Sequence, residues 1–125
     1  MVEMLLDSVI LIDHLNGIPE STGWLADEGW DRMAVSAITR AEVLSGAAPE
    51  ELAHIGTLLD SFTCFPLDGD TADRAASIHR EKKLRLPDAF QAAVAEIHKL
   101  KLVTRNTRDF SPEKFDYVIV PYELS

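Results

Sequence analysis

The sequence predicts an α/β domain built on a short and largely parallel sheet. Apolar runs of a few residues alternate with longer helical segments along the chain. This alternation is typical of folds in which a helix connects one parallel strand to the next. The chain has 125 residues, of which 46% are hydrophobic. We therefore expect residues 1–125 to form one globular domain that buries a sizeable core.

The first part of the chain predicts two strands with helices around them. The expected elements are the strand Met4–Leu6, a helix over 9–15, the strand Met33–Ser36 and a helix over 37–44. After the first helix, a break at Gly17 and Pro19 precedes another helical segment. We expect Ser21 or Thr22 to cap that segment and Gly29 to end it.

The middle of the chain predicts two helices and a third strand. Pro49 opens a helix whose apolar positions recur at spacings of three and four. That spacing predicts one buried face, formed by Leu52, Ile55, Leu58 and Leu59. A strand is expected over 62–67, with Cys64 as a small core residue at its end. A helix is expected over 71–83, with Thr71 as its cap.

A buried helix is predicted from Pro87 onward. Pro87 suits a first helical turn because its missing N–H would be unpaired there. The carboxylate of Asp88 gains from the positive potential of a helix start. Residues 89–97 are apolar except for Gln91 and Glu96, which is too continuous an apolar run for a surface helix.

The last part of the chain predicts two further strands. A β-branched run over 102–104 follows the buried helix, and the polar loop 105–110 carries Asp109. A final strand is expected over 117–120, where Pro121 would end it at an edge of the sheet. The step from helix to strand thus has an acid at each end, Asp88 and Asp109.

Charge is distributed unevenly along the chain. The formal net charge of −9 argues at first against a nucleic-acid partner. However, residues 1–31 contain seven acids and no Lys or Arg, whereas residues 74–108 contain nine basic residues against three acids. An acidic cluster beside a basic strip suits a metal-dependent enzyme that acts on a polyanion, although most of these charges taken singly suit solvated helix faces.

Membrane insertion and secretion are not indicated. No apolar run approaches the ~18 residues that a membrane span requires. The N-terminal segment has no Lys or Arg before Arg32, so it does not resemble a secretory signal. Cys64 is the single cysteine, which excludes an intramolecular disulfide and suits a reducing cytoplasm.

Four acids fall at equivalent places in the predicted fold. Asp7 follows the first strand, and Glu42 lies in the helix after the second strand. Asp88 starts the buried helix, and Asp109 lies in the loop after the fourth strand. Because the carboxyl ends of parallel strands share one edge, we expect these acids to converge in one crevice. Each acid alone is equally well explained as a helix cap, a solvated side chain or a turn residue.

Clustered carboxylates repel one another and therefore need a cation. Oxygen ligands suit Mg²⁺ or Mn²⁺. A zinc site is not indicated, because ligand spacing is absent among His14, His54, His79 and His98. A divalent ion held by carboxylates activates water and neutralises charge on a phosphodiester. The sequence has neither a nucleophile elbow nor a glycine-rich phosphate loop.

Three segments of the chain resemble the PIN-domain ribonucleases, and among them the VapC-type toxins of toxin–antitoxin pairs. The segments are LLDSVILIDHLNG (5–17), VSAITRAEVLSG (35–46) and LPDAFQAAVA…LVTRNTRDF (86–110). Thr-Arg-Asn-x-x-Asp-Phe directly after a strand is the most specific match. The resemblance implies a three-layer α/β/α sandwich with a short, mostly parallel central sheet of four to five strands.

The resemblance also implies the residues of a metal site. With Mg²⁺ as the cofactor and Mn²⁺ as a possible substitute, the site residues are Asp7, Glu42, Asp88 and Asp109. Asp7 and Asp88 are the expected direct ligands. The polar positions that border such a site are matched by Ser8, Thr104 and Asn106.

Two more polar residues lie in the matching segments. Asp13 matches a recurrent acid of the first segment, and we interpret it as structural because it points to another side of its helix than Asp7. Gln91 lies one turn after Asp88 on the same face. It would either line the cleft or satisfy a backbone group.

The resemblance implies an endoribonuclease toxin, a homodimer and a VapB-type antitoxin whose tail covers the acidic cleft, with arginine or a similar group entering it. RNA would be recognised in single-stranded loops, where bases are unstacked. The candidates for contacts to its backbone are Arg40, Arg85, Arg105 and Arg108. Apolar residues that suit either an interface or core packing are Trp24, Leu25, Trp30 and Met33.

Three alternatives are open at this point. A PIN-like domain without activity would serve as a binding or regulatory module, although all four acids are retained. A metal-dependent DNA nuclease is a second alternative, although 125 residues leave little room for an extension that grips a duplex. A phosphoacceptor receiver domain is the least supported, because paired acids after the first strand and a lysine after a late strand are not at the required places.

Overall fold

A five-stranded parallel sheet forms the centre of the computed structural model, which describes residues 1–124. Its strands are β1 (Met4–Leu6), β2 (Met33–Ser36), β3 (Thr63–Phe65), β4 (Lys101–Val103) and β5 (Val118–Ile119). They lie in the order β3-β2-β1-β4-β5, and every neighbouring pair is parallel. The predicted α/β fold class is therefore confirmed, and the sheet has five strands where four to five were predicted. The break in strand order around β1 is where such sheets open a crevice.

Six α-helices and two short 3₁₀ turns connect these strands. The helices are α1 (Ser8–Leu15), α2 (Pro19–Glu28), α3 (Ala37–Ser45), α4 (Leu52–Asp60), α5 (Gly69–Lys82) and α6 (Leu86–His98). The 3₁₀ turns are at Trp30–Arg32 and Pro49–Glu51. None of the helices in residues 1–124 combines the length and the apolar character that crossing a bilayer requires.

Two apolar clusters, one on each face of the sheet, make the three-layer sandwich. Side chains alternate along a strand, so Leu5 faces one cluster while Met4 and Leu6 face the other. The first cluster packs α5 and α6 against the sheet, and the second packs α1 to α4 against it.

The apolar residues that suited either an interface or the core lie in the second cluster. Leu25 and Met33 are fully buried there. Trp24 and Trp30 are partly buried and pack against it. This placement favours the core-packing alternative for all four.

Helix α6 is the most buried helix, as its continuous apolar sequence predicts. Ala89, Ala92, Ala93 and Val94 are inaccessible to solvent. Small side chains at these positions let α6 pack closely against the sheet and α5. The helix ends at Lys99, which adopts the left-handed conformation with φ 55°.

Two predicted helix caps are wrong. Helix α2 begins at Pro19 without a side-chain cap, and the buried hydroxyl of Ser21 instead donates to the backbone oxygen of Ile10 at 2.6 Å. Helix α5 is capped by Asp68, whose Oδ1 accepts from the Thr71 N–H at 2.9 Å and from its hydroxyl at 2.7 Å. Ser21 and Thr71, the residues predicted as caps, instead lie inside the first turn of their helices.

The prediction of Cys64 as a core residue is also wrong. Strand β3 covers only Thr63–Phe65 and lies at an edge of the sheet, so Cys64 is exposed. Leu52 departs from its predicted buried face and is 44% exposed. The 3₁₀ turn before it places Leu52 at the first position of α4, ahead of the part of the helix that packs against the core.

Candidate active site

A cavity of about 370 Å³ opens at the carboxyl ends of β1 and β4. Three of the four predicted acids line this acid cavity, together with three arginines. Its lining residues are Asp7, Ser8, Val9, Glu42, Arg85, Asp88, Arg105, Asn106, Thr107 and Arg108. The acids meet because β1, β2 and β4 run in the same direction, so that their carboxyl ends lie at one edge of the sheet. Asp7 directly follows β1, and Glu42 lies in α3, the helix that follows β2.

Asp7 is held in place by several hydrogen-bond donors. It is 6% exposed and caps α1, its Oδ1 accepting the Ser8 N–H at 2.9 Å. Its Oδ2 accepts the hydroxyl of Thr104 at 2.7 Å. Burial nevertheless raises the pKa of Asp7, opposed by the hydrogen bonds from Thr104 and Ser8 and reinforced by the charge of Glu42.

Behind Asp7, a buried hydrogen-bond network joins α6, β2 and α3. The side-chain amide of Gln91 accepts from the hydroxyl of Ser36 at 2.7 Å and donates to Thr39 Oγ1 at 2.5 Å. The same Nε2 lies 3.4 Å from Asp7 Oδ1. Thr39 in turn donates to the backbone oxygen of Leu6 at 3.0 Å. Because both ends of the amide are engaged, its orientation is fixed with a donor toward Asp7.

Gln91 thus differs from both predicted alternatives, since it neither lines the acid cavity nor binds a backbone group. Ser36 and Thr39 were not among the predicted site residues. Their signal in the sequence was two hydroxyls three residues apart, the first of them at the last position of a buried strand. That pattern also suits an ordinary helix cap, and Ser36 does cap α3.

Asp88 has a buried carboxylate oxygen without a hydrogen-bond donor among the described residues. The side chain is buried in the first turn of α6, and within residues 1–124 its Oδ2 accepts no hydrogen bond. The nearest cation is Arg85, with Nη2 at 3.5 Å from that oxygen. Burial raises the pKa of Asp88, the charge of Arg85 lowers it, and the charges of Asp7 and Asp109 raise it further. A buried acceptor left open in this way is suited to a cation.

Glu42 and Asp109 lie at the periphery of this arrangement. Glu42 is exposed on α3 and lines the acid cavity. Asp109 is outside its lining, and its Oδ2 accepts a hydrogen bond from Asn106 Nδ2 at 3.0 Å. Among residues 1–124, no three acid, histidine or cysteine side chains stand close enough together to hold an ion. The four acids therefore interact electrostatically without forming a closed coordination sphere.

Thr104 and Asn106 connect β4 to the acids. Besides donating to Asp7, the Thr104 hydroxyl accepts the backbone N–H of Asn106 at 3.0 Å. The side chain of Asn106 then reaches Asp109. Ser8 contributes its backbone N–H to Asp7. All of the polar positions matched by the resemblance thus contact an acid of the site.

The four predicted arginines separate into two groups. Arg85, Arg105 and Arg108 line the acid cavity. Arg40 is not part of that lining, and its Nη1 binds Asp60 Oδ1 at 2.9 Å on α4. The charge of Arg40 is therefore directed to a neighbouring helix.

Asp13 is not part of the lining of the acid cavity. Its Oδ2 accepts from Arg105 Nε at 2.6 Å, and its Oδ1 accepts from Arg105 Nη2 at 2.9 Å. The hydroxyl of Tyr122 also donates to Oδ2 at 2.9 Å. The hydrogen bonds from Arg105 hold the pKa of Asp13 below its usual range, against the effect of burial.

A larger cavity, about 720 Å³, opens at the opposite end of β4. It contains much of the basic strip that the sequence shows. Its basic lining residues are Arg74, Lys82, Lys99, Lys101 and Lys114. Among its described lining residues, this larger cavity has no buried acceptor without a hydrogen bond that is comparable to Asp88 Oδ2. The acid cavity is therefore the better candidate for the functional site, although it is the smaller of the two.

Comparison with known proteins gives a consistent family. The family model of the PIN domain matches residues 4–112. Ribonuclease VapC10 from Mycobacterium tuberculosis is 32% identical over 113 residues, which cover 86% of this chain and 85% of the relative.

Solved structures agree with this match. A toxin–antitoxin complex from Klebsiella pneumoniae contains a chain that is 36% identical, with a TM-score of 0.90 and coverage of 98% of this chain and 100% of that one. A DNA-bound VapBC from Salmonella typhimurium has a chain at 26% identity and a TM-score of 0.77, covering 88% of this chain and 91% of its own. On the family match over most of its length and the identity to VapC10, the chain belongs to the PIN-domain family.

Proposed function

We propose that the chain is a metal-dependent endoribonuclease that acts as the toxin of a toxin–antitoxin pair. The observation that supports this most directly is the acid cavity, which Asp7, Glu42 and Asp88 line and where one buried carboxylate oxygen of Asp88 accepts no hydrogen bond from the described residues. The similarity to a protein named as a VapC ribonuclease supports RNA as the substrate. The similarity to chains of toxin–antitoxin complexes supports an antitoxin as the partner.

The donor set fits Mg²⁺ or Mn²⁺. The acid cavity offers carboxylate oxygens, which these ions prefer, and its described lining contains no thiolate or imidazole. Two buried acids with raised pKa values have an unfavourable ionised form that a cation would stabilise. When bound, the ion would activate water and neutralise charge on the phosphodiester.

The residues of the chain take distinct roles in this proposal. Asp7 and Asp88 hold the ion directly, and Glu42 and Asp109 complete the negative potential around it. Thr104 fixes the orientation of Asp7 through its hydroxyl. The supporting positions are Ser8 and Asn106.

The arginines of the site are proposed to contact the RNA backbone. Those that line the acid cavity bind phosphates: Arg85, Arg105 and Arg108. Arg40 is the weakest candidate for such a contact, since it is paired with Asp60.

The proposed partners follow from the same surface. An antitoxin segment carrying a basic side chain would be complementary to the acid cavity and would compete with the metal for Asp88. We also propose that the toxin forms a homodimer and acts in the cytoplasm.

The test is cleavage of a pool of structured cellular RNAs by the purified chain. Reactions contain Mg²⁺ or Mn²⁺, or a chelator, and are repeated with Asp88→Asn. Asp73→Asn is the matched control, because it removes the same charge from an exposed position on α5. We expect metal-dependent cleavage by the wild-type and Asp73→Asn chains and its loss in Asp88→Asn.

Three results would contradict the proposal. Cleavage that persists in Asp88→Asn would indicate a contaminating nuclease or a different site. Absence of both cleavage and Mn²⁺ binding in the folded chain would favour the inactive binding module. Metal-dependent cutting of DNA in place of RNA would favour the DNA nuclease.

A further inference from the structure

The pair formed by Asp13 and Arg105 is more extensively hydrogen-bonded than an ordinary surface ion pair. Asp13 is 5% exposed, and both of its oxygens accept from the guanidinium in the bidentate arrangement that is the strongest for arginine and carboxylate. Tyr122 adds a third hydrogen bond to the same carboxylate. The guanidinium is therefore held from α1 through Asp13, and Asp13 is held in turn from the segment that follows β5.

This pair leaves one side of Arg105 free. A guanidinium has five N–H donors. Asp13 takes the Nε donor and one donor of Nη2, and the Nη1 donors make no hydrogen bond within residues 1–124. Arg105 also lines the acid cavity, in which Asp7 and Asp88 lie. A fixed cation with unused donors thus borders the acids.

We propose that Asp13 and Tyr122 position Arg105, one of the arginines assigned above to the RNA backbone, so that its guanidinium is a preorganised binding site for a substrate phosphate beside the acid cavity. The inference rests on the proposed ribonuclease activity, since RNA supplies the phosphate. Asp13, interpreted from the sequence as structural, thereby acts on substrate binding through Arg105.

Comparison with Arg85 explains why positioning matters. The Arg85 side chain is 79% exposed, and its one ion pair within residues 1–124 is a 3.5 Å contact to Asp88 three residues along the chain. Holding such a side chain against a phosphate requires the loss of several free rotations. The Arg105 guanidinium has already lost them in the free protein, so more of its attraction for phosphate appears as binding.

A second trio of the same chemistry provides a matched control. At the opposite end of β4, Arg74 binds Glu96 through Nε at 2.8 Å and through Nη2, and the hydroxyl of Tyr117 donates to the other oxygen of Glu96. This trio lines the larger cavity and not the acid cavity. Variants of Arg74 and Tyr117 therefore report the general effect of breaking such a trio.

The experiment measures binding of a fluorescein-labelled, mixed-sequence RNA of about ten nucleotides. Ca²⁺ replaces Mg²⁺, and the NaCl concentration is varied. We expect Arg105→Gln to weaken binding about tenfold and to reduce the slope of log Kd against log salt by about 0.7, the value for one lost phosphate contact on a single strand. Arg74→Gln should change neither quantity.

Tyr122→Phe tests the positioning role without changing any charge. We expect it to raise Kd for the RNA about threefold, as for one lost hydrogen bond, while Tyr117→Phe leaves it unchanged. The affinity for Mn²⁺ should stay at the wild-type value in both variants. If Arg105→Gln does not fold, this pair of tyrosine variants decides by itself.

The inference is overturned if the salt slope is the same with and without Arg105 in folded protein. It is also overturned if both tyrosine variants behave alike, or if Tyr122→Phe lowers Mn²⁺ affinity as much as RNA affinity. Its failure is distinct from that of the proposed function. RNA cleavage with binding independent of Arg105 removes the phosphate site alone, whereas Arg105-dependent binding without any cleavage removes the nuclease alone.

Discussion

Asp88 has a buried carboxylate oxygen that accepts no hydrogen bond from the described residues. Burial, and then the charges of Asp7 and Asp109, oppose its ionisation, although the charge of Arg85 favours it. Because its folded-state pKa is raised above the usual value of 3.8, the stability linked to the neutral form is complete below that value. It is lost as pH rises through the folded pKa. At neutral pH the metal-free fold is therefore weakened by the group that is proposed to hold the metal.

Asp88→Asn should consequently be more stable than the wild-type chain in the presence of a chelator. We expect Tm to rise by about 2–6 °C at pH 7, on the order of 1 kcal/mol. Saturating Mg²⁺ should reverse the order, since it stabilises only a chain that binds it. Thermal unfolding with and without Mg²⁺ measures both effects. A variant less stable than wild type in chelator would mean that Arg85 already compensates the charge.

Gln91 is the second residue for which a sharp outcome is expected. Gln91→Met keeps the length of the side chain but removes the amide, which deprives Ser36, Thr39 and Asp7 of a partner in a buried region. We expect a loss of about 1–3 kcal/mol in the free energy of unfolding, measured in urea.

Gln91→Glu is the companion variant, because it keeps the shape of the side chain and changes only its hydrogen bonding and charge. It places a buried carboxylate beside Asp7, which costs more than the loss of the amide alone. We therefore expect it to be the less stable of the two variants at pH 7. Equal stability of both variants and the wild type would show that the network does not stabilise the fold.

At the scale of the elements, Asp13 links α1 to the loop after β4 and to the segment after β5. Its pKa is lowered, chiefly by hydrogen bonds from Arg105, so its contribution to stability is present above the unfolded value of 3.8 and is lost as pH falls through the folded pKa. Asp13→Asn should therefore destabilise the chain at pH 7 by about 1.5–3 kcal/mol, the range for hydrogen bonds to charged groups.

The difference between Asp13→Asn and the wild type should narrow as the pH is lowered from 3.8 through the folded pKa, where the wild-type carboxylate becomes protonated. Urea unfolding across a pH series measures this. Asp31→Asn provides a control at an exposed acid in the 3₁₀ turn before β2. A difference that is constant with pH would mean that the shape of Asp13 matters and its charge does not.

The strands and helices also show which parts of the fold could be predicted from the sequence. Strand and helix positions follow from apolar periodicity, so β1, β2 and α6 were predicted closely. The cap of α5 was missed because Asp68 and Thr71 are both possible caps within a few residues. The cap of α2 was missed because Pro19 opens that helix without a side-chain cap, and the hydroxyl of Ser21 binds α1 through a tertiary contact. Exposure of Cys64 depends on which strand lies at the edge of the sheet, and strand order is a tertiary property that local sequence does not contain.

The placement of the site residues could also be predicted only in part. Asp7 and Asp88 adjoin elements with strong signals, and the direction of parallel strands places them together. The bonds among Gln91, Ser36 and Thr39 join residues that are 52 and 55 positions apart. Such contacts are specified by packing and not by spacing, and therefore they could not be predicted.

For the whole molecule, the uneven charge has a consequence for stability. The net charge is −9, and the acid cavity adds local repulsion among Asp7, Glu42 and Asp88. We expect the Tm of the metal-free chain to rise by a few °C when NaCl is raised from about 0.05 M to about 0.5 M, because salt screens repulsion between exposed charges. A scan in chelator measures this, with Asp88→Asn expected to respond less. A fall in Tm would mean that ion pairs outweigh the repulsion.

The exposed edge strand β3 offers a position for a fluorescent label on the natural chain. Its Cys64 is the single cysteine, so a thiol-reactive dye attaches at one defined position without any substitution. Strand β3 lies two strands from β1, a separation of roughly 10 Å across the sheet. We expect the emission of a dye at this position to change when RNA binds at the acid cavity, while the side chains of the site stay unmodified.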